Sequence, residues 1–113
     1  MVETEAKKEV QALANQLQVM QQQLQSVLIQ KESLRLQAMD IERALKELET
    51  TKESHAYKIT GQIMISKPVE DVKKELKESK EAVELKIKSL EKAENRMNDK
   101  LKELQEKLKM VLK

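Results

Sequence analysis

Apolar residues recur along the first part of the chain at alternating intervals of three and four: Val10, Leu13, Leu17, Met20, Leu24, Val27, Leu34, Ala38, Ile41, Leu45 and Leu48. That is the a/d spacing of a coiled coil, and Lys31 is the only polar residue in phase with it. The same spacing returns in Val69, Leu76, Val83, Ile87, Leu90, Met97, Leu101, Leu104, Leu108 and Val111, with Lys73, Lys80 and Glu94 as its polar members. Between the tracts the period changes to two. Tyr57 and Ile59 alternate before Thr60-Gly61, and Ile63 and Ile65 alternate after it, which predicts a short β-hairpin turning on the only glycine.

Folding the chain back about the Thr60-Gly61 bond pairs Val10 with Val111, Leu13 with Leu108, Leu17 with Leu104, Met20 with Leu101 and Leu24 with Met97. Each pair joins an a position to a d position, the layer type of antiparallel helices. Registers shifted by a whole heptad satisfy the same pattern, and centring on Gly61 selects among them. Lys31 then lies opposite Leu90, and Glu94 opposite Val27, one turn apart. Two readings follow: an ion pair that fixes the register, or two side chains that each snorkel to water.

The predicted boundaries are a helix over 5–51, a hairpin over 55–66 and a helix over 68–111. No Gly or Pro interrupts the first helix, which would be about 70 Å long at ~1.5 Å per residue. Thr50, Thr51 and Ser54 stop it. Ser66 is the expected N-cap of the second helix, with Pro68 in its first turn, Glu70 and Asp71 behind them, and Lys107, Lys109 and Lys113 at its far end. The fold class is mainly α: a long antiparallel two-helix coiled coil with a central β-hairpin, forming a single unit over 1–113. A lone two-stranded hairpin is marginal in water, so its sheet is expected to be completed by strands of other chains.

Composition narrows the chemistry. Aromatics make up 1% of the 113 residues, too few to fill a globular core. Charged residues make up 37%, with signs mixed and a net charge of +2, which argues against nucleic acid as the main partner. No apolar run approaches the roughly 20 residues that cross a bilayer, and the N-terminus does not resemble a signal peptide, so a soluble intracellular protein is expected. Without cysteine there is no thiol or disulfide chemistry. His55, the one histidine, has no evident nucleophile, orienting partner or fellow metal ligand. A single glycine builds no phosphate cradle. No enzyme activity, metal or cofactor is expected. Acidic residues instead form helical pairs such as Glu70 with Lys74 and Glu84 with Lys88, and the glutamines of residues 16–25 form a solvated helix face.

The ends of the coiled coil differ from its middle, because Val10, Leu13 and Leu17 face Leu104, Leu108 and Val111 with no further layer to close them. Val19, Met110 and Leu112 add apolar groups outside the seam. Such an end is either an ordinary frayed terminus or an adaptable apolar surface that grips other proteins.

The order helix, hairpin, helix, with a hairpin spelled His55-Ala56-Tyr57-Lys58-Ile59-Thr60-Gly61-Gln62-Ile63-Met64-Ile65, resembles the β-type subunits of the prefoldin (GimC) family. Gln21-Gln22-Gln23-Leu24-Gln25 and Leu101-Lys102-Glu103-Leu104 are similar to that family too, and the resemblance covers essentially the whole chain. His55-Ala56 departs from the family's usual apolar β-branched pair, which bears on where the first strand starts. The resemblance implies a hexamer of two α-type and four β-type subunits whose hairpins form an inter-subunit β-barrel. Tyr57, Ile59, Gly61, Ile63, Met64 and Ile65 would then serve assembly. It further implies an ATP-independent, cytoplasmic holdase that captures non-native proteins at its tips and passes them to a group II chaperonin. The client-binding positions would be Val10, Leu13, Leu17, Val19, Leu104, Leu108, Met110, Val111 and Leu112. Abundant Lys and Glu with few Asn suit a thermophilic archaeal source. The alternative is a coiled-coil scaffold or tether that binds no clients.

Overall fold

The computed structural model describes residues 2–112, as α1 (Val2–Thr50), β1 (His55–Thr60), β2 (Ile63–Pro68) and α2 (Val69–Leu112). The architecture is mainly α, two long antiparallel helices joined by a two-stranded antiparallel sheet. Helix α1 begins three residues before the predicted start. It ends where the hydroxyl-bearing residues were expected to stop it. The Thr50 hydroxyl turns back to the carbonyls of Glu47 (3.2 Å) and Lys46 (3.4 Å), and the Glu53 amide donates to Thr51 Oγ1. Among the described residues, no helix is long and apolar enough to cross a membrane.

Every a/d position named above is buried or half-buried, and almost every other helical position is exposed. The chain forms two compact units. One is Ser33–Ile87, and the other joins the stretch ending at Glu32 to the stretch beginning at Lys88. In the Ser33–Ile87 unit, Val69 and Val83 are buried, and Ile41 lines a groove with Leu76 and Val83, which flank its expected partner Lys80 on either side. In the other unit Leu104 is 3% exposed, and Met20 lines grooves with Met97 and Leu104, which flank its expected partner Leu101. The helical register chosen from the sequence therefore agrees with the packing inside each unit.

Polar seam residues find partners. Lys31 Nζ lies 2.5 Å from Glu94 Oε2, with side chains only 13% and 21% exposed, so the ion pair forms and the snorkelling alternative does not. Lys80 meets Glu42 at 2.7 Å. Lys73 meets Glu70 at 3.5 Å, and Glu84 meets Lys80 at 4.0 Å, in place of the expected Glu70–Lys74 and Glu84–Lys88 pairs.

The hairpin corrects the sequence reading by one residue. Its register pairs Thr60 with Ile63, Ile59 with Met64, Lys58 with Ile65 and Tyr57 with Ser66, so the turn is Gly61-Gln62 rather than Thr60-Gly61. Gly61 has φ +60°, and no other described residue has positive φ. A two-residue turn with positive φ only at its first central position is type II′, and that demand fixes Gly61 at the first corner. A second correction concerns the start of α2. Ser66 and Pro68 belong to β2, and the first helical residue is Val69, whose amide donates to the Ser54 carbonyl at 3.0 Å. Ser54, just before β1, thereby satisfies one of the amides that a Ser66 cap was expected to serve.

Opposed residues of an antiparallel pair share a face. Tyr57, Ile59, Met64 and Ser66 lie on one side, and Ala56, Lys58, Ile63, Ile65 and Lys67 on the other. The second side carries the link to α2: Lys67 Nζ is 2.5 Å from Glu75 Oε1, and Lys58 Nζ is 3.4 Å from Glu75 Oε2. One carboxylate thus holds a lysine from each strand. The hydrogen bond from Lys67, together with the charges of both lysines, keeps the Glu75 carboxyl below the usual carboxylate value despite some desolvation. Hydrogen bonding and charge from Lys80 likewise lower Glu42, and Glu42 raises Lys80.

Two predictions follow from these contacts. Replacing Lys31 or Glu94 alone by leucine is expected to destabilise the coiled coil by about 1 kcal/mol, because a half-buried partner is left unpaired. The double replacement is expected to be neutral or stabilising while loosening register. Thermal melts of the three variants by circular dichroism check the order. For Glu75 the folded value is depressed, so its contribution is present above 4.5, the carboxyl's ordinary value, and is lost as pH falls through the lower folded value. Hairpin resonances in an NMR pH titration should therefore shift below the ordinary carboxylate range, and Glu75→Gln should produce the acid-like pattern at neutral pH.

Candidate functional site

Among the described residues no cluster of three metal-ligating side chains exists. The sequence offered His55 no partner, and the structure supplies one: Ser54 Oγ lies 2.9 Å from His55 Nδ1. Both residues are exposed at the start of β1, so water competes for the hydrogen bond. The strand begins at His55 itself, so the departure at His55-Ala56 does not shorten it.

The hairpin is one candidate surface. Tyr57, Ile59, Ile63, Met64 and Ile65 are all exposed, from 41% at Ile65 to 72% at Ile59. A strand pair normally hides at least one face, yet here Tyr57, Ile59 and Met64 gather on the face away from the Glu75 link. Among the described residues each strand also has a single neighbour, leaving its other edge unpaired.

The second candidate surface lies in the unit built from the two chain ends. Val10, Leu13, Leu17, Leu108 and Val111 are half-buried in the seam, and Leu104 is buried, whereas Val19, Met110 and Leu112 are exposed. Val19 and Leu104 come together in one groove of about 490 Å³, which Met20 also lines, with Asn15, Gln16, Gln23 and Lys100 at its rim. A smaller groove continues from it through the shared Met20, Gln23 and Lys100 to Ala93, Arg96 and Met97. Met110 and Leu112 do not belong to either lining. Met20, Gln23, Arg96, Met97 and Lys100 were not among the expected surface residues. A signal for Met20 and Gln23 existed, because residues 10–30 contain no charged side chain in a chain that is 37% charged, but nothing comparable marks Arg96, Met97 and Lys100. Leu28 and Ile29, in the same run, are exposed too.

Comparison with known proteins places this geometry. The family described as "Prefoldin subunit" matches residues 11–113. "Prefoldin subunit beta" of Archaeoglobus fulgidus is 42% identical over 65 residues, covering 57% of this chain and 56% of the relative. The protein of the same description from Methanospirillum hungatei is 42% identical over 64 residues, covering 56% of this chain and 53% of the relative. The matched stretch spans little more than half the length of these relatives. The prefoldin beta subunit from Thermococcus strain KS-1, solved by crystallography, superposes with a TM-score of 0.84 at 35% identity over 93% of each chain. The chain belongs to the prefoldin subunit family, and its resemblance within that family is to the β-type subunits.

Proposed function

We propose that this protein is a single prefoldin-like unit, residues 1–113, acting as an ATP-independent chaperone subunit of the cytoplasm, in an archaeal cell. Its hairpin joins those of α-type and further β-type subunits in an inter-subunit β-barrel of a hexamer, through Tyr57, Ile59, Gly61, Ile63, Met64 and Ile65. Its chain ends hold non-native proteins through Val10, Leu13, Leu17, Val19, Leu104, Leu108, Met110, Val111 and Leu112, before delivery to a group II chaperonin. Neither nucleic acid nor a membrane is a partner in this reading. The carrying observation is where exposed apolar side chains collect. Five lie on a fourteen-residue hairpin with two open edges, and Val19, Leu28, Ile29, Met110 and Leu112 lie in the unit made by the chain ends, with Leu36, Met39 and Leu85 outside both. Apolar side chains gathered and exposed on a short hairpin of this kind mark an interaction site.

Purified protein, with and without an α-type partner, is expected to suppress aggregation of a denatured model protein in the absence of nucleotide. Removing the residues before Leu17 and after Leu104 should weaken protection and leave assembly intact. Equal protection by the truncated chain would sink the assignment of the ends, and an assembled protein that never protects would be a scaffold. For assembly, Ile59→Lys combined with Ile63→Lys places one charge on each hairpin face and should release smaller species on sizing, with helical content by circular dichroism retained. An unchanged particle size would remove the hairpin from the assembly interface.

A further inference from the structure

The continuous groove in the unit of the chain ends is chemically lopsided. Its floor is apolar, from Val19, Met20, Met97 and Leu104. On the α1 side the rim consists of neutral amides, Asn15, Gln16 and Gln23, within the charge-free run of residues 10–30. On the α2 side the rim is cationic, Arg96 and Lys100. No carboxylate lines either part of the groove. Glu103 meets Lys100 at 3.7 Å from outside the lining, a long and exposed pair that offsets little of the lysine's charge. No ion pair engages Arg96 among the described residues.

Each rim has a consequence for what can lie in the groove. An amide side chain both donates and accepts, so a row of them can satisfy the N–H and C=O groups of an extended backbone whatever its sequence. The floor takes apolar side chains, and a volume of about 490 Å³ lies within the range of sites that hold small ligands and side-chain clusters. The α2 rim adds a sign. Two cations without a lining carboxylate favour acidic side chains beside the apolar ones and repel basic ones.

We propose that this groove binds extended polypeptide segments in which apolar residues are flanked by Asp or Glu, and discriminates against segments flanked by Lys or Arg. The inference rests on the client-holding reading above and specifies which clients the site prefers. The amides of α1 pair with backbone, the floor takes side chains, and Arg96 and Lys100 read charge.

Three peptides of equal length and identical apolar residues, flanked by acidic, neutral or basic side chains, distinguish the possibilities by fluorescence anisotropy with the full-length assembled protein. The acidic peptide is expected to bind roughly threefold to tenfold more tightly than the basic one, as two exposed charge pairs allow, with the ratio shrinking as salt is added. In Arg96→Gln/Lys100→Gln the ratio should fall to near one, whereas Lys92→Gln, outside the lining, should preserve it. Equal binding of all three peptides by the wild-type protein overturns the charge preference and leaves client holding standing. A ratio that survives Arg96→Gln/Lys100→Gln places the preference elsewhere and overturns the groove's role. Binding of none of them, together with no suppression of aggregation, overturns both readings.

Discussion

Two helices lying side by side can enclose a side chain from two directions only. The third and fourth directions stay open to water, so the core of each unit is a line of residues rather than a volume. Among the described residues only Val69, Val83 and Leu104 are buried, and the remaining seam residues are partly covered. A line needs no bulky filler, which explains how a chain with a single aromatic residue holds its shape on Leu, Val, Ile and Met. It also tolerates charge in phase with the seam. From an a position a lysine can reach the seam's edge, and there Lys31, Lys73 and Lys80 each meet a carboxylate.

The same geometry leaves the hairpin without cover. Nothing in a two-helix seam is wide enough to bury a sheet face, so the strands are tied down by one carboxylate and one backbone hydrogen bond. Glu75 holds Lys58 and Lys67, and the Val69 amide meets Ser54 across the strand ends. Tyr57, Ile59 and Met64 are turned the other way. This arrangement anchors one face by polar contacts and leaves the other apolar and uncovered.

Sequence pattern and structure agree most closely where the pattern carries phase. A step of three and four names individual residues, and each a/d position it names is covered in the structure. A period of two is poorer in information: Tyr57, Ile59, Ile63 and Ile65 alternate equally well about either neighbouring bond. Centring the helical mirror on the only glycine points to Thr60-Gly61, but backbone conformation decides, because positive φ must fall on Gly61 as the first corner of the turn. Local propensity misplaced the start of α2 for a related reason. Ser66 looks like a cap only when its place in the β2 ladder is unknown. Of the candidate surfaces, the exposed hairpin residues were legible, whereas the groove was not. Sorting positions into seam and solvent discards the edge between them, where Gln23, Arg96 and Lys100 sit.

Tyr57 has one more property. As the only aromatic side chain in the protein, it accounts for all near-ultraviolet absorbance and intrinsic emission, and it stands exposed on the uncovered hairpin face. The helices contribute nothing in that spectral region and dominate the far ultraviolet. Optical measurements on the unlabelled protein therefore separate into two channels, one reporting burial of the hairpin and the other folding of the helices. Burial of the hairpin face and coiled-coil melting can be followed in the same cuvette without interfering with each other.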